Sequence, residues 1–117
     1  RTRGGRAMIR LMENATRLGH RIRSELEDLA AESRLIGDVR GLGLMIGVEL
    51  VKDKGTKARA KEATHQIVQG CFRRGLLLLP CGPNSIRFAP PLTITAAEVD
   101  TALAIFADAL AEVESMP

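Results

Sequence analysis

The sequence has no tryptophan, no tyrosine and only three phenylalanines. Proteins that bind single-stranded nucleic acid stack bases on aromatic side chains, so this scarcity argues against that class of function. The feature in its favour is a basic start, because residues 1–23 contain seven arginines against one glutamate. An arginine-rich segment without aromatic residues is typical of a solvated tail. We therefore expect no nucleic-acid partner.

Metal ligands and membrane spans are also missing. Cys71 and Cys81 do not form a CxxC pair, and His20 and His65 have no neighbour at metal-ligand or triad spacing. We expect no metal and no disulfide, and reduced thiols of this kind indicate a reducing compartment such as the cytoplasm. No apolar run is long enough to cross a membrane. We therefore expect a soluble globular domain with no membrane partner.

The chain also lacks an initiator methionine. It begins with Arg1, and the arginine-rich stub over residues 1–10 matches no signal-peptide pattern. A length of 117 residues allows one domain at most, which is small for a self-sufficient cofactor enzyme. We expect a fragment of a longer chain, with its folded domain over residues 11–117.

The periodicity of the apolar residues predicts three helices. A stripe at three- and four-residue spacing predicts a long helix over residues 6–32. A second stripe predicts a helix over residues 56–74 that ends at Gly75 and starts late, because lysines oppose the dipole at a helix start. Thr95 and Glu98 form a capping box that opens a last helix, whose stripe continues to Val113.

Between the helices the period changes to two, which predicts strands. Aliphatic residues alternate with small or polar ones over residues 42–50, so one strand is expected there. Its second face carries Gly43 and Gly47, as expected where a ligand or another backbone comes close. A tight bend is an equally good reason for Gly41 and Gly43, so the glycines alone establish no site.

The four leucines at residues 76–79 predict a strand that is buried on both faces. The turn residues 81–84 then return the chain, as a hairpin, to residues 85–88. The element order is αβαββα. We predict an α/β (α+β) sandwich with a small, mostly antiparallel three-stranded sheet, helices on one face, and a second face that needs a partner.

Arg87 is the candidate site residue. Side chains alternate along a strand, so if Ile86 and Phe88 point into the core, Arg87 projects from the opposite face. A guanidinium has a planar fork that matches the two oxygens of a carboxylate, and Pro83 and Pro90 stiffen the strand that carries it. A solvated arginine on a sheet surface is the alternative.

Three segments together resemble one family. They read VRGLGLMIGVEL over residues 39–50, GLLLLP over residues 75–80 and IRFAPPL over residues 86–92. In this order they look like the C-terminal small domain of class III aminotransferases, the ornithine, acetylornithine and 4-aminobutyrate type, which depend on pyridoxal 5'-phosphate (PLP). The resemblance covers about residues 11–113.

The resemblance implies a homodimeric PLP enzyme that transfers an amino group from an ω-amino acid to 2-oxoglutarate. The donor is of the 4-aminobutyrate, ornithine or N-acetylornithine type. By resemblance, Arg87 binds the carboxylate of amino-acid and oxo-acid substrates. No lysine here matches the family's Schiff-base motif, and the aspartate that pairs with the cofactor is absent. We therefore expect no catalytic and no cofactor-binding residue in this chain, and no activity from the chain alone. Arg40 and Glu49 are interpreted as structural.

A free-standing small-molecule-binding or regulatory module, whose bare sheet face pairs with itself, is the alternative of a different class. It predicts a self-sufficient chain, whereas the aminotransferase interpretation predicts a cofactor domain ahead of Arg1.

Overall fold

The computed structural model describes residues 3–116, apart from the side chains of residues 3, 4 and 42. Arg1 and the side chain of Arg3, both in the predicted stub, therefore lie outside the described part. Within that part the elements are α1 (Arg3–Glu32), β1 (Ile36–Leu42), β2 (Met45–Asp53), β3 (Ala58–Arg59), α2 (Lys61–Arg73), β4 (Leu79–Pro80), β5 (Ser85–Phe88) and α3 (Ala96–Glu114).

The predicted first helix is confirmed as α1, a helix of 30 residues. Its apolar stripe is buried from its middle onward, at Ala15, Leu18, Ile22 and Leu26. The turns before this point are exposed, and Met8 and Met12 remain more than half accessible. α1 passes the predicted stub boundary at residue 10 without a break. None of the described helices is long and apolar enough to cross a membrane.

The single strand predicted over residues 42–50 is wrong. The segment holds the end of β1, a tight turn and most of β2, and the two strands pair as an antiparallel hairpin. Leu42 pairs with Met45, so Gly43 and Leu44 form the turn, and Gly43 has a φ of +60°, in the left-handed region that glycine tolerates best. The alternating pattern continues across this turn, which concealed it. Within β2 the predicted alternation is confirmed by the buried residues Ile46, Val48 and Leu50.

α1 approaches this turn closely at Gly19. A Cβ atom built on Gly19 would lie 1.9 Å from the carbonyl oxygen of Gly43. Real Cβ atoms essentially never come within 3.0 Å of another heavy atom. The missing side chain at Gly19 therefore sets the distance between the helix and the hairpin.

The described strands form an antiparallel sheet in the order β1, β2, β5, β4, with β3 paired to the end of β2. Five strands thus replace the predicted three, because residues 36–42 pair as β1 and the two-residue β3 follows β2. The predicted hairpin at residues 76–88 is present in a shorter form, with Leu79 opposite Arg87 and Pro80 opposite Ile86.

Burial of the four leucines on both faces was a wrong expectation. Leu78 is buried, whereas Leu77 is 71% exposed and Leu79 is 49% exposed. The reason is position, since β4 is an edge strand of two residues and helices cover only one face of the sheet. A run of leucines without alternation therefore does not show that both faces are covered.

The end of α2 and the start of α3 follow their predicted capping signals. α2 begins at Lys61, late as expected, and beyond it Gly75 has a φ of +93° and donates its N–H to the carbonyl of Phe72 at 3.0 Å. At the start of α3 the Thr95 hydroxyl accepts from the N–H of Glu98 at 3.2 Å. The Glu98 carboxylate accepts in return from the N–H of Thr95 at 3.0 Å, which completes the predicted capping box.

The core lies between the sheet and the helices. Buried residues from all three described helices and from β1, β2 and β5 form one cluster on the same face of the sheet. Within it Phe88 of β5 meets Phe106 of α3 edge to face, with ring centroids 5.2 Å apart. Such a pair contributes about 0.5–1.5 kcal/mol beyond its area burial. The α/β sandwich with helices on one face is confirmed, and the second face of the sheet is open.

Candidate functional site

Two rows of aligned residues cross the open face of the sheet. One row runs over four strands as Arg40, Gly47, Arg87 and Leu79. The neighbouring row runs over three strands as Asp38, Glu49 and Ser85. All of these residues except Leu79 line a shallow depression of about 510 Å³, called here the sheet-face depression.

Arg87 stands in this depression without a carboxylate partner among the described residues. Its side chain is exposed, and Nη2 donates to the Sγ atom of Cys81 at 3.2 Å. Arg40, in the same row, is already neutralised by an ion pair with Asp38. Because the sulphur uses only one N–H group, the guanidinium of Arg87 keeps enough donors to bind a carboxylate in bidentate fashion.

Contacts at both ends fix the strand that carries this arginine. Ahead of β5, the side-chain amide of the buried Asn84 donates to the carbonyl of Leu50 at 2.9 Å, and the backbone carbonyl of Asn84 accepts from the N–H of Leu50 at 2.7 Å. Behind β5, the side chain of Asn14 in α1 donates to the carbonyls of Leu92 and Ile94 at 3.3 and 3.1 Å. A backbone held in this way costs little additional entropy when its side chain binds a ligand.

A second depression, of about 590 Å³, lies on the other side of Arg87. Residues 75–79, residues 87–91 and the first turns of α3 line it, and most of them are apolar. Besides Arg87 the charged residue in its lining is Glu98, whose carboxylate is engaged in the capping box. The sheet-face depression is therefore the better candidate for a polar ligand.

The groups with shifted pKa values lie away from both depressions. A hydrogen bond from Arg74, with Nη2 at 2.7 Å from Oε2, lowers the pKa of Glu112, and the same contact raises the pKa of Arg74. Burial raises the pKa of the Cys71 thiol to about 11. These residues join α2 to α3, so their shifts belong to the packing of the helices.

Comparison with known proteins identifies the family. The sequence model for Aminotransferase class-III matches residues 7–110. The chain belongs to the class-III aminotransferase family. It is 39% identical over 105 residues to 5-aminovalerate aminotransferase DavT of Pseudomonas aeruginosa, covering 88% of this chain and 25% of that protein. It is 41% identical over 104 residues to leucine/methionine racemase of Thermococcus litoralis, covering 89% and 24%.

Solved structures agree with this family. An amine transaminase from an uncultivated Pseudomonas species, crystallised in its PLP-bound form, superposes with a TM-score of 0.83 at 31% identity. The match covers 92% of this chain and 24% of that chain. The present chain thus spans about a quarter of the length of the class-III relatives it matches.

None of the lysines of this quarter is placed to hold PLP in the sheet-face depression. The four lysines, Lys52, Lys54, Lys57 and Lys61, all have exposed side chains, and none of them lines the sheet-face depression. The ammonium of Lys54 donates to the carbonyl of Ala30 at 2.5 Å. Among the described residues there is also no group of three histidine, cysteine or carboxylate side chains that could hold a metal ion. The group in the sheet-face depression that could bind a ligand is therefore the guanidinium of Arg87, which suits an anion.

The predicted orientation of Arg87 is confirmed, because both of its neighbours in β5 are buried while Arg87 is exposed. Its role as a substrate-binding residue stays a prediction. The sequence led us to treat Arg40 and Glu49 as structural and Cys81 as a reduced thiol outside any metal site or disulfide, whereas the sheet brings all three to the same depression. For Cys81 a signal existed, since an antiparallel hairpin with a turn over residues 81–84 places it opposite Ser85, close to the arginine.

Proposed function

We propose that this chain is the C-terminal part of a PLP-dependent class III aminotransferase, and that Arg87 binds a substrate carboxylate. The reaction transfers an amino group from an ω-amino acid, of the 4-aminobutyrate, ornithine or N-acetylornithine type, to 2-oxoglutarate. The observation that carries the proposal is the guanidinium of Arg87, which has no carboxylate partner among the described residues of the open sheet face. The rest of the enzyme supplies PLP and its lysine, so this chain alone is inactive.

The chemistry of Arg87 suits this role. A guanidinium donates two parallel N–H bonds to the two oxygens of a carboxylate, which fixes the orientation of the ligand as well as its position. A hydrogen bond to a charged group contributes roughly 1.5–3 kcal/mol, which corresponds to about tenfold to more than a hundredfold in affinity. A lysine keeps the charge and loses the fork, so it replaces only part of this contribution.

The names of two relatives are consistent with a carboxylate as the ligand of Arg87. One relative acts on 5-aminovalerate and another on leucine and methionine, by transamination and racemisation respectively. These reactions differ, although the matching segments are similarly identical to this chain. The named substrates are amino acids, which share an amino group and a carboxylate, and only the carboxylate is a ligand for a guanidinium. We therefore infer that this segment binds the substrate's carboxylate and does not decide which reaction the enzyme catalyses.

Kinetics of the full-length enzyme, made from the complete reading frame that encodes this chain, test the proposal. We expect transamination of 5-aminovalerate with 2-oxoglutarate as the acceptor, and kcat/KM is then compared with that for pentylamine, which has the same chain without the carboxylate. Arg87→Ala is expected to lower kcat/KM for 5-aminovalerate by about tenfold to a hundredfold and that for pentylamine by less than about twofold. Arg87→Lys is expected to restore part of the loss.

The matched control is Arg59→Ala, which removes an exposed strand arginine outside both depressions. It should leave both substrates unaffected. Equal losses on both substrates in Arg87→Ala would show that Arg87 supports the fold and not the ligand. A reading frame that encodes no cofactor domain would contradict the aminotransferase assignment itself.

We also propose, from the family resemblance, that the full-length enzyme is a cytoplasmic homodimer and that residues 11–117 form its small domain after the arginine-rich stub. Sedimentation of the full-length protein should give twice the mass of one chain. A monomer that remains active would contradict the dimer.

A further inference from the structure

Gly47, the third residue of β2, is a glycine that neither packing nor turn geometry among the described residues requires. Glycine weakens a strand, because it has no side chain to pack and loses more backbone entropy on folding. A Cβ atom built on Gly47 would meet nothing closer than the carbonyl oxygen of Arg40, 4.0 Å away. The φ of Gly47 also lies outside the left-handed region. Alanine would therefore fit here without moving any described neighbour.

The two glycines just before it are different. A Cβ atom on Gly41 would lie 2.8 Å from the side chain of Ile46 and 3.1 Å from the carbonyl oxygen of Met45. Gly43 adopts the positive φ of the hairpin turn. Packing and turn geometry thus account for Gly41 and Gly43, and they leave Gly47 without an explanation inside the described part of the chain.

Gly47 lies beside Arg87 in the lining of the sheet-face depression. The register sets it directly opposite Arg87 on the open face, between that residue and Arg40. Cβ atoms of directly opposed residues are about 4.5–5.5 Å apart, so any side chain at position 47 would stand beside the stem of Arg87. The guanidinium itself contacts Cys81, on the far side of β5 from β2. The space over Gly47 is therefore not filled by Arg87.

Among the charged residues around Gly47, Arg87 is the cation that is available to a ligand. Arg40 and Asp38 neutralise each other at one side. Glu49, half-buried in the neighbouring row, has no ion-pair partner among the described residues and disfavours a carboxylate at its own end of the depression. An anionic group that enters the depression is thus attracted to Arg87 and finds the least obstruction over Gly47.

We propose that Gly47 is a specificity-determining position of the carboxylate site. Aliphatic amino or oxo acids lie across its bare backbone when their carboxylate reaches Arg87, and a side chain at this position excludes them. The inference rests on the proposed function, and it adds that the strip between Arg40 and Arg87 accepts the ligand because position 47 has no Cβ.

The test uses Gly47→Ala and Gly47→Val in the full-length enzyme, with Gly55→Ala as the matched control. Gly55 lies in the turn beyond β2, and a Cβ there would meet only the side chain of Asp53. The readouts are kcat and KM for 5-aminovalerate and pentylamine, together with the melting temperature. For 5-aminovalerate we expect KM to rise about tenfold in the alanine variant and about a hundredfold in the valine variant, the range set by loss of a charge-assisted hydrogen bond.

The melting temperature separates this role from a structural one. Both Gly47 variants should melt at or above the wild-type temperature, because replacing glycine reduces the entropy of the unfolded chain and valine favours strands. Pentylamine, which carries no carboxylate to bring it to Arg87, should keep its kcat/KM within about twofold. The Gly55→Ala control should match the wild type in all readouts.

Three outcomes overturn the proposal in distinguishable ways. If Arg87→Ala discriminates between the two substrates while Gly47→Val leaves KM unchanged, the carboxylate site stands and Gly47 is not part of it. If Gly47→Ala lowers the melting temperature, or lowers kcat/KM equally for both substrates, the glycine is needed for packing. If Arg87→Ala itself costs both substrates equally, the proposed function fails, and the inference fails with it.

Discussion

The close approach of α1 to the turn between β1 and β2, at Gly19, allows a stability prediction on the chain of 117 residues. In Gly19→Ala the new methyl group would lie 1.9 Å from the carbonyl oxygen of Gly43. To reach 3.0 Å, below which Cβ contacts essentially do not occur, α1 or the hairpin turn has to move by about 1 Å. The contact is with backbone on both sides, so no side chain can rotate away to relieve it.

The cost of this movement has to be set against a gain in helix propensity. Overpacking a well-packed interior costs about 1–3 kcal/mol, and a forced shift of packed backbone belongs at the upper end of that range. Alanine is favoured over glycine in a helix interior by about 1 kcal/mol. We therefore expect a net destabilisation of about 2 kcal/mol. For a domain of this size that corresponds to a melting temperature lower by roughly 8 °C.

Thermal unfolding of the chain, followed by circular dichroism at 222 nm, measures this effect. Gly70→Ala in α2 is the matched control, because the nearest atoms that a Cβ there would meet are side-chain atoms, of Arg74, Ala109 and Arg73, at 3.2 Å and beyond. The control gains the same helix propensity and should melt at or above the wild-type temperature. A Gly19→Ala variant that is as stable as the wild type would show that the helix and the hairpin are not held at this distance.

Two further predictions concern groups outside the candidate site. The pKa of Glu112 is lowered in the folded state by its hydrogen bond from Arg74, so its contribution to stability is present above the unfolded pKa of about 4.5 and is lost as pH falls through the lower folded value. The melting temperature of Glu112→Gln should therefore lie below that of the wild type at pH 7 and approach it at pH 3, and a difference independent of pH would refute the assignment. The two thiols should differ in their reaction with a chromogenic disulfide. Cys81 is exposed and should react at once, whereas Cys71 is buried, with a pKa raised to about 11, and should react only on unfolding. A fast reaction that survives in Cys81→Ala would contradict this.

The features that sequence reasoning predicted well depend on nearby residues. The start of α3 follows from Thr95 and Glu98, three positions apart, and the outward direction of Arg87 follows from its two neighbours in the same strand. β1 was missed because its glycines and its aspartate interrupt the alternation, and its strand conformation depends on pairing with β2. The strand predicted over residues 76–79 was too long, because the extent of an edge strand such as β4 is set by pairing with its neighbour and not by the leucines themselves.

The neighbours of Arg87 depend on the length of the turn at Gly43 and of the turn over residues 81–84. The direction of Arg87 could therefore be predicted from its own strand, whereas its neighbours could not. With Gly43 and Leu44 as a two-residue turn, Arg40 pairs with Gly47 and shares its face. One more residue in that turn would shift the pairing by one, and a one-residue slip moves every side chain of a strand to the other face. Arg40 and its partner Asp38 would then both point into the core, and burying even a paired charge is costly. The short turn at Gly43 is therefore what keeps β1's charged side chains at the sheet-face depression and its aliphatic ones under the helices.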